Sequence, residues 1–118
     1  MKATLIFCGP AFYGGKVIEK DSEVTLGRSE DRDISISGPE DVSRYHCNLY
    51  STNSGVCIKD YSSRGTFVNG SRINPDEYVI LHNGDELTFG RNLKAILFIE
   101  NSGLLRGLRK RLKRVRSA

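Results

Sequence analysis

Apolar residues in this chain fall in short alternating runs rather than in helical stripes. Runs at 3–8, 16–19 and 23–26 predict strands. The stretch 33–37 alternates polar and apolar, with Ile34 and Ile36 facing one way. Residues 44–51 and 56–59 predict a hairpin about Asn53-Ser54-Gly55, and further strands are expected at 66–68, 79–81, 86–89 and 95–100. Turn residues separate these runs: Gly14-Gly15, a breaker-rich loop at 37–41, Asn69-Gly70, and His82-Asn83-Gly84-Asp85. Asn69-Gly70 is the strongest hairpin signal, because a type I′ turn needs positive φ at both central residues. About ten short strands with turns between them, and no helix required before residue 102, predict an all-β sandwich or barrel.

The pattern changes at residue 102. Leu104, Leu105, Leu108, Leu112 and Val115 fall within an arc of about 100° at 100° per residue, and arginines and lysines occupy the rest. Ser102 is placed to cap the start. Residues 102–118 are therefore expected to form a basic amphipathic helix, and 1–101 a separate β domain. Residues 104–116 suit three roles: packing back on the sandwich, lying on an anionic membrane or in a partner groove, or contacting nucleic acid or serving as a linker to further sequence.

Charge follows the same division. The net charge is +4, but seven Lys/Arg and no acids lie in 103–118, leaving 11 basic against 14 acidic residues before it. A mildly acidic body does not suit a general nucleic-acid binder. Three cysteines, Cys8, Cys47 and Cys57, show no CxxC spacing, which argues against a disulfide framework or a zinc site. They are expected to be small buried hydrophobes in a reducing compartment. No apolar stretch approaches the roughly 20 residues of a membrane helix, and the domain is expected to be intracellular, in cytoplasm or nucleus. There is no P-loop, no Gly-rich nucleotide fingerprint and no metal-ligand cluster, so no catalytic residue, cofactor or metal is assigned. Ser43 and His46 lack an acid placed to complete a triad.

Four fragments in strand-connecting positions carry the functional reading: Gly27-Arg28, Ser43-Arg44-Tyr45-His46 opening a strand, Ser62-Ser63-Arg64-Gly65-Thr66 after Asp60, and Asn69-Gly70. Their types suit a phosphate monoester, which carries about −1.5 to −2 charge and three acceptor oxygens. A guanidinium bonds two such oxygens at once, and hydroxyls and amides of a concave loop complete the shell. In order and spacing the fragments resemble the forkhead-associated (FHA) domain, a phosphothreonine-binding module, over residues 1–101.

The resemblance implies an eleven-stranded β-sandwich with its binding loops at one end and a partner phosphorylated by a Ser/Thr kinase. It implies that Arg28, Ser43, Arg44 and Ser63 hold the phosphate. Gly27, His46, Gly65, Thr66, Asn69 and Gly70 would brace the loops. One position departs: the family's usual Asn before Gly65, which fixes the peptide main chain, is Arg64 here. Arg only donates hydrogen bonds, where Asn also accepts. Asp31, Asp33, Glu40 and Asp41 are expected to form a solvated acidic rim. Asp41, two residues before Ser43, would favour Lys or Arg in the peptide. The alternative reading is a phosphate-independent scaffold that uses a sandwich face or the basic tail.

Overall fold

The computed structural model describes residues 2–8 and 14–100. These residues form eleven strands: β1 (Lys2–Cys8), β2 (Gly15–Ile18), β3 (Ser22–Gly27), β4 (Ile34–Ser35), β5 (Cys47–Thr52), β6 (Gly55–Asp60), β7 (Thr66–Val68), β8 (Ser71–Arg72), β9 (Val79–Leu81), β10 (Glu86–Phe89) and β11 (Leu93–Glu100). A six-stranded sheet runs β2-β1-β11-β10-β7-β8, and a five-stranded sheet runs β4-β3-β5-β6-β9. All pairings are antiparallel except β3 with β4. The predicted helix over 102–118, and with it the domain boundary, lies outside the described residues.

Alternation sets the register. Ala3, Leu5 and Phe7 of β1 and Leu93, Ala95 and Leu97 of β11 point inward, facing Val24, Leu26, Leu49, Val56 and Ile58 of the other sheet. Each Leu, Ile or Phe so buried stabilises the fold by about 1.5–3 kcal/mol. A one-residue slip of either strand would expose its whole inward set. Phe7 and Phe89 meet at 6.1 Å between ring centroids, joining β1 to β10 over β11 on the inner face of the six-stranded sheet.

Several expectations are corrected. Ser43 to His46 do not open β5; the ladder begins at Cys47, paired with Leu26 and Asp60. The reason is local, because the Ser43 amide turns inward to the His46 ring and the carbonyls of 43 and 44 accept from Arg28 and Ser29. The Gly14-Gly15 pair is not the centre of the first hairpin, since Gly15 already pairs with Ile6 and Gly14 with Phe7. Strand β8 is too short for any pattern to show. Of the cysteines, Cys47 is buried and Cys57 half-buried, whereas Cys8 is exposed. Asn69-Gly70 does form the β7–β8 turn, with φ of 50° and 85°.

Candidate functional site

The site grows from the end of β3. Gly27 is buried, and a Cβ on it would overlap the Arg44 carbonyl, 2.6 Å from its carbon and 3.0 Å from the Ser43 oxygen. Only glycine lets the 43–44 backbone lie across the strand end. Two hydrogen bonds then clamp the crossing: the Arg28 amide donates to the Ser43 carbonyl at 3.0 Å and the Ser29 amide to the Arg44 carbonyl at 3.2 Å. The Arg28 side chain is exposed, and its Nε donates to the Val42 carbonyl. That bond holds the guanidinium against the backbone one residue before Ser43, and its terminal NH₂ groups make no hydrogen bond or ion pair with any described residue.

His46 joins this crossing to the loop after β6. Its ring is fully buried. Nδ1 accepts from the Ser43 amide at 3.0 Å, and Nε2 contacts the Gly65 carbonyl at 3.0 Å. An amide can only donate and a carbonyl only accept, so the ring is neutral with its proton on Nε2. Burial lowers its pKa below the ordinary 6.5, against smaller upward pulls from the Gly65 carbonyl and the Asp60 and Asp41 charges. Phe89 packs edge-on against it at 5.9 Å.

Asp60 shapes the β6–β7 loop from below. The residue is 1% exposed, and its Oδ1 accepts three hydrogen bonds: from the Ser62 amide (3.0 Å), the Ser62 hydroxyl (2.6 Å) and the Thr66 hydroxyl (2.8 Å). The Ser62 hydroxyl in turn accepts from the Gly65 amide at 2.8 Å. Gly65 sits at φ +99°, where a Cβ would strike Arg72 Nε at 2.8 Å. Its carbonyl also accepts from the Gly90 amide at 2.9 Å, which brings in the β10–β11 turn.

These braces converge Ser43 and Ser63, twenty residues apart. The Ser63 amide donates to Ser43 Oγ at 3.1 Å, and the two hydroxyl oxygens lie 3.3 Å apart. Either hydroxyl can donate to the other, so one hydrogen of the pair is left to donate outward. Arg28, Ser43 and Ser63 are therefore brought together. Arg44 contributes its backbone to the Gly27 crossing, while its side chain is exposed. Asn69 lies beyond the cluster and fastens β7–β8 to β10, with Nδ2 donating to Asp85 (2.9 Å) and Oδ1 accepting from the Glu86 amide (2.9 Å). Gly70 completes that turn.

The acidic rim is more engaged than expected. Asp33 accepts from the Thr25 amide and hydroxyl, which lower its carboxyl pKa. Asp31 pairs with Arg32 at 3.1 Å, and Arg32 lies 4.5 Å over the Tyr45 ring. Asp41 accepts from the Arg91 amide at 2.5 Å, the leading cause of its lowered pKa. A Cβ on Gly90 would strike the Asp41 carboxylate and carbonyl, so the two turns are fitted closely. Arg64 is exposed and borders a depression shared with Glu40, Asp41, Arg91 and Asn92.

The sequence pattern assigned no role to Asp60, which precedes the third fragment, or to Ser62, which opens it. Their Asp-x-Ser spacing was the available signal, since such an Asp bonds the amide two residues on. Gly90 and Arg91 gave none, because their role depends on a partner fifty positions away.

Fold and site together define a β-sandwich module whose loops hold convergent hydrogen-bond donors. The FHA domain model matches residues 24–90, more than half of the chain, and the chain belongs to that family. It is 36% identical over 78 residues, 64% of its length, to the E3 ubiquitin-protein ligase CHFR of Danio rerio, but spans only 12% of that protein. The FHA domain of the CT664 protein from Chlamydia trachomatis superposes with a TM-score of 0.76 at 21% identity, covering 86% of this chain and 100% of that one. The N-terminal FHA domain of Rad53p from S. cerevisiae, solved with a phosphothreonine peptide, gives 0.74 at 20% identity, covering 85% and 94%. At these identities the structural likeness is one of fold.

Proposed function

We propose that this chain binds phosphothreonine-containing protein segments through the loops around Arg28, Ser43 and Ser63, as a phosphorylation-dependent interaction module in signalling. One observation carries the reading: two serine hydroxyls 3.3 Å apart beside an exposed arginine, held by buried His46 and Asp60. The donors match the ligand. Arg28 supplies charge and a two-oxygen fork, and Ser43 and Ser63 supply hydroxyl donors from fixed backbone. Because the braces exist before any ligand arrives, little ordering is needed on binding. Arg44 adds long-range attraction, and Arg64 takes the place of the family's peptide-anchoring Asn. Family membership supports the choice of phosphothreonine, as does the peptide held by the Rad53p domain.

The test is a calorimetric titration with a degenerate phosphothreonine peptide pool, its unphosphorylated twin and a phosphoserine version, repeated on Arg28→Ala. Binding by the phosphothreonine pool alone, weakened at least about a hundredfold by Arg28→Ala, is expected from loss of a hydrogen-bonded charge pair. Binding that ignores the phosphate would instead favour a scaffold role. An observation exists for that second reading: Tyr61, Tyr78 and Ile80 are 50–68% exposed, and Lys59 lies 4.8 Å from the Tyr78 ring centroid.

A further inference from the structure

Beyond Ser63 the phosphate site opens into a groove of about 600 Å³ along β7, β8 and β10, bordered by Arg64, Arg72, Arg91, Lys94 and Glu86. All five charged side chains are exposed. Lys94 is paired with Glu86 at 3.5 Å. The guanidinium groups of Arg64, Arg72 and Arg91 make no ion pair or hydrogen bond with any described residue. Four cations thus face one carboxylate in a single concavity. Like charges held together repel, and the arrangement is relieved by an anion from outside. Glu40 and Asp41 border the adjoining depression with Arg64 and Arg91, and the Asp41 charge attracts Arg91, but neither acid lines this groove, whose own balance stays positive.

We infer that a phosphopeptide seated as proposed above, a reading on which this inference rests, lays one flank in this groove, and that the flank carries an anionic side chain. The shared chemistry is a carboxylate or a second phosphate facing Arg64, Arg72 and Arg91. The preference reverses the sign expected from Asp41 alone. It also gives Arg64 a role that its Asn counterpart lacks: a charge contact rather than a main-chain anchor. A forked guanidinium suits either anion, and a phosphate, with about −1.5 to −2 charge, should be drawn more strongly than a carboxylate.

The experiment compares phosphothreonine peptides by fluorescence anisotropy at low and high salt. One has neutral flanks. Others carry Glu, Lys or a second phosphothreonine, before or after the central residue in separate peptides. An anionic flank on one side is expected to tighten binding about tenfold at low salt, and added salt should shrink that gain. In the Arg72→Gln/Arg91→Gln double variant, the ratio between anionic and neutral peptides should fall toward one. A gain with Glu assigns the groove to carboxylates as well, and a gain with the second phosphate alone assigns it to phosphate. Equal binding of neutral and anionic peptides, or preference for Lys, overturns the inference while leaving the phosphothreonine reading in place. Failure of every phosphothreonine peptide to exceed its unphosphorylated twin overturns both.

Discussion

The proposed phosphate site and the basic groove meet at Ser63, yet they are built in opposite ways. In the first, polar groups are buried and engaged: His46 and Asp60 are at most 1% exposed, and between them they hold five hydrogen bonds to the loops, all three of Asp60's on Oδ1, while its Oδ2 is buried without a partner among the described residues. In the second, cations are exposed and three have no partner among the described residues. The first fixes where donors stand, and the second only sets the sign of the field. Geometry of the first kind discriminates one chemical group, because a misplaced donor in a braced loop cannot follow its ligand. A field of the second kind selects by charge over a range of positions and is sensitive to salt. Damage to the two surfaces should therefore differ in kind as well as in size.

The largest expected effect comes from the lower brace. Asp60→Ala strands the buried Thr66 hydroxyl and the Ser62 donors, at a cost on the order of 3 kcal/mol in urea unfolding. A loss below about 1 kcal/mol would show that the β6–β7 loop holds its shape without the carboxylate. Next is Gly27→Ala, expected to destabilise by about 1–3 kcal/mol through overpacking. It should also weaken phosphopeptide binding beyond the stability loss, because the 43–44 crossing must move. Unchanged affinity would separate the crossing from the site.

A pH series sharpens the comparison further. The folded-state pKa of His46 lies below its unfolded value of 6.5, so below that pH the unfolded chain takes up a proton that the folded chain refuses. The His46 contribution is thus complete above pH 6.5 and is lost as pH falls toward the folded value. Asp31, Asp33 and Asp41, lowered from 3.8, act only at more acid pH, which keeps the ranges apart. Chemical denaturation between pH 7.5 and 5 should show the decline in the native chain and its absence in His46→Phe. Unfolding is the proper readout, because the phosphate itself titrates near pH 6. The smallest effect on stability is expected at the groove. Arg72→Gln or Arg91→Gln should change the unfolding free energy by no more than about 0.5 kcal/mol while altering the salt dependence of anionic-peptide binding. A larger stability loss would mean that these arginines brace the fold, and the contrast between the surfaces would fail.

Much was legible in the sequence where the cause is local. Alternation located nearly every strand, because period-2 burial is written into neighbouring residues. Asn69-Gly70 fixed its turn, because both positions need positive φ and these two residues adopt it. The motif residues Arg28, Ser43 and Ser63 were identified by resemblance, and the structure brings all three to one place. What was misread had a distant cause. The segment from Ser43 to His46 has strand-like composition, yet its carbonyls are claimed by Arg28 and Ser29 and its amide by a folded-back histidine. Asp41 reads as a free acid until Arg91 is set against it.

By itself, then, the sequence determined an all-β domain, its turns, and the arginine and serines here proposed to grip a phosphate. Only the tertiary structure decided that Gly27 must lack a side chain because Arg44 crosses it, that Asp60 and His46 hold the loops from within, and that Arg64, Arg72, Arg91 and Lys94 share one groove. The physical reason is separation along the chain. Alternation and turn preference act between neighbours, whereas a clash, a buried hydrogen bond or a summed charge exists only once packing brings distant residues together.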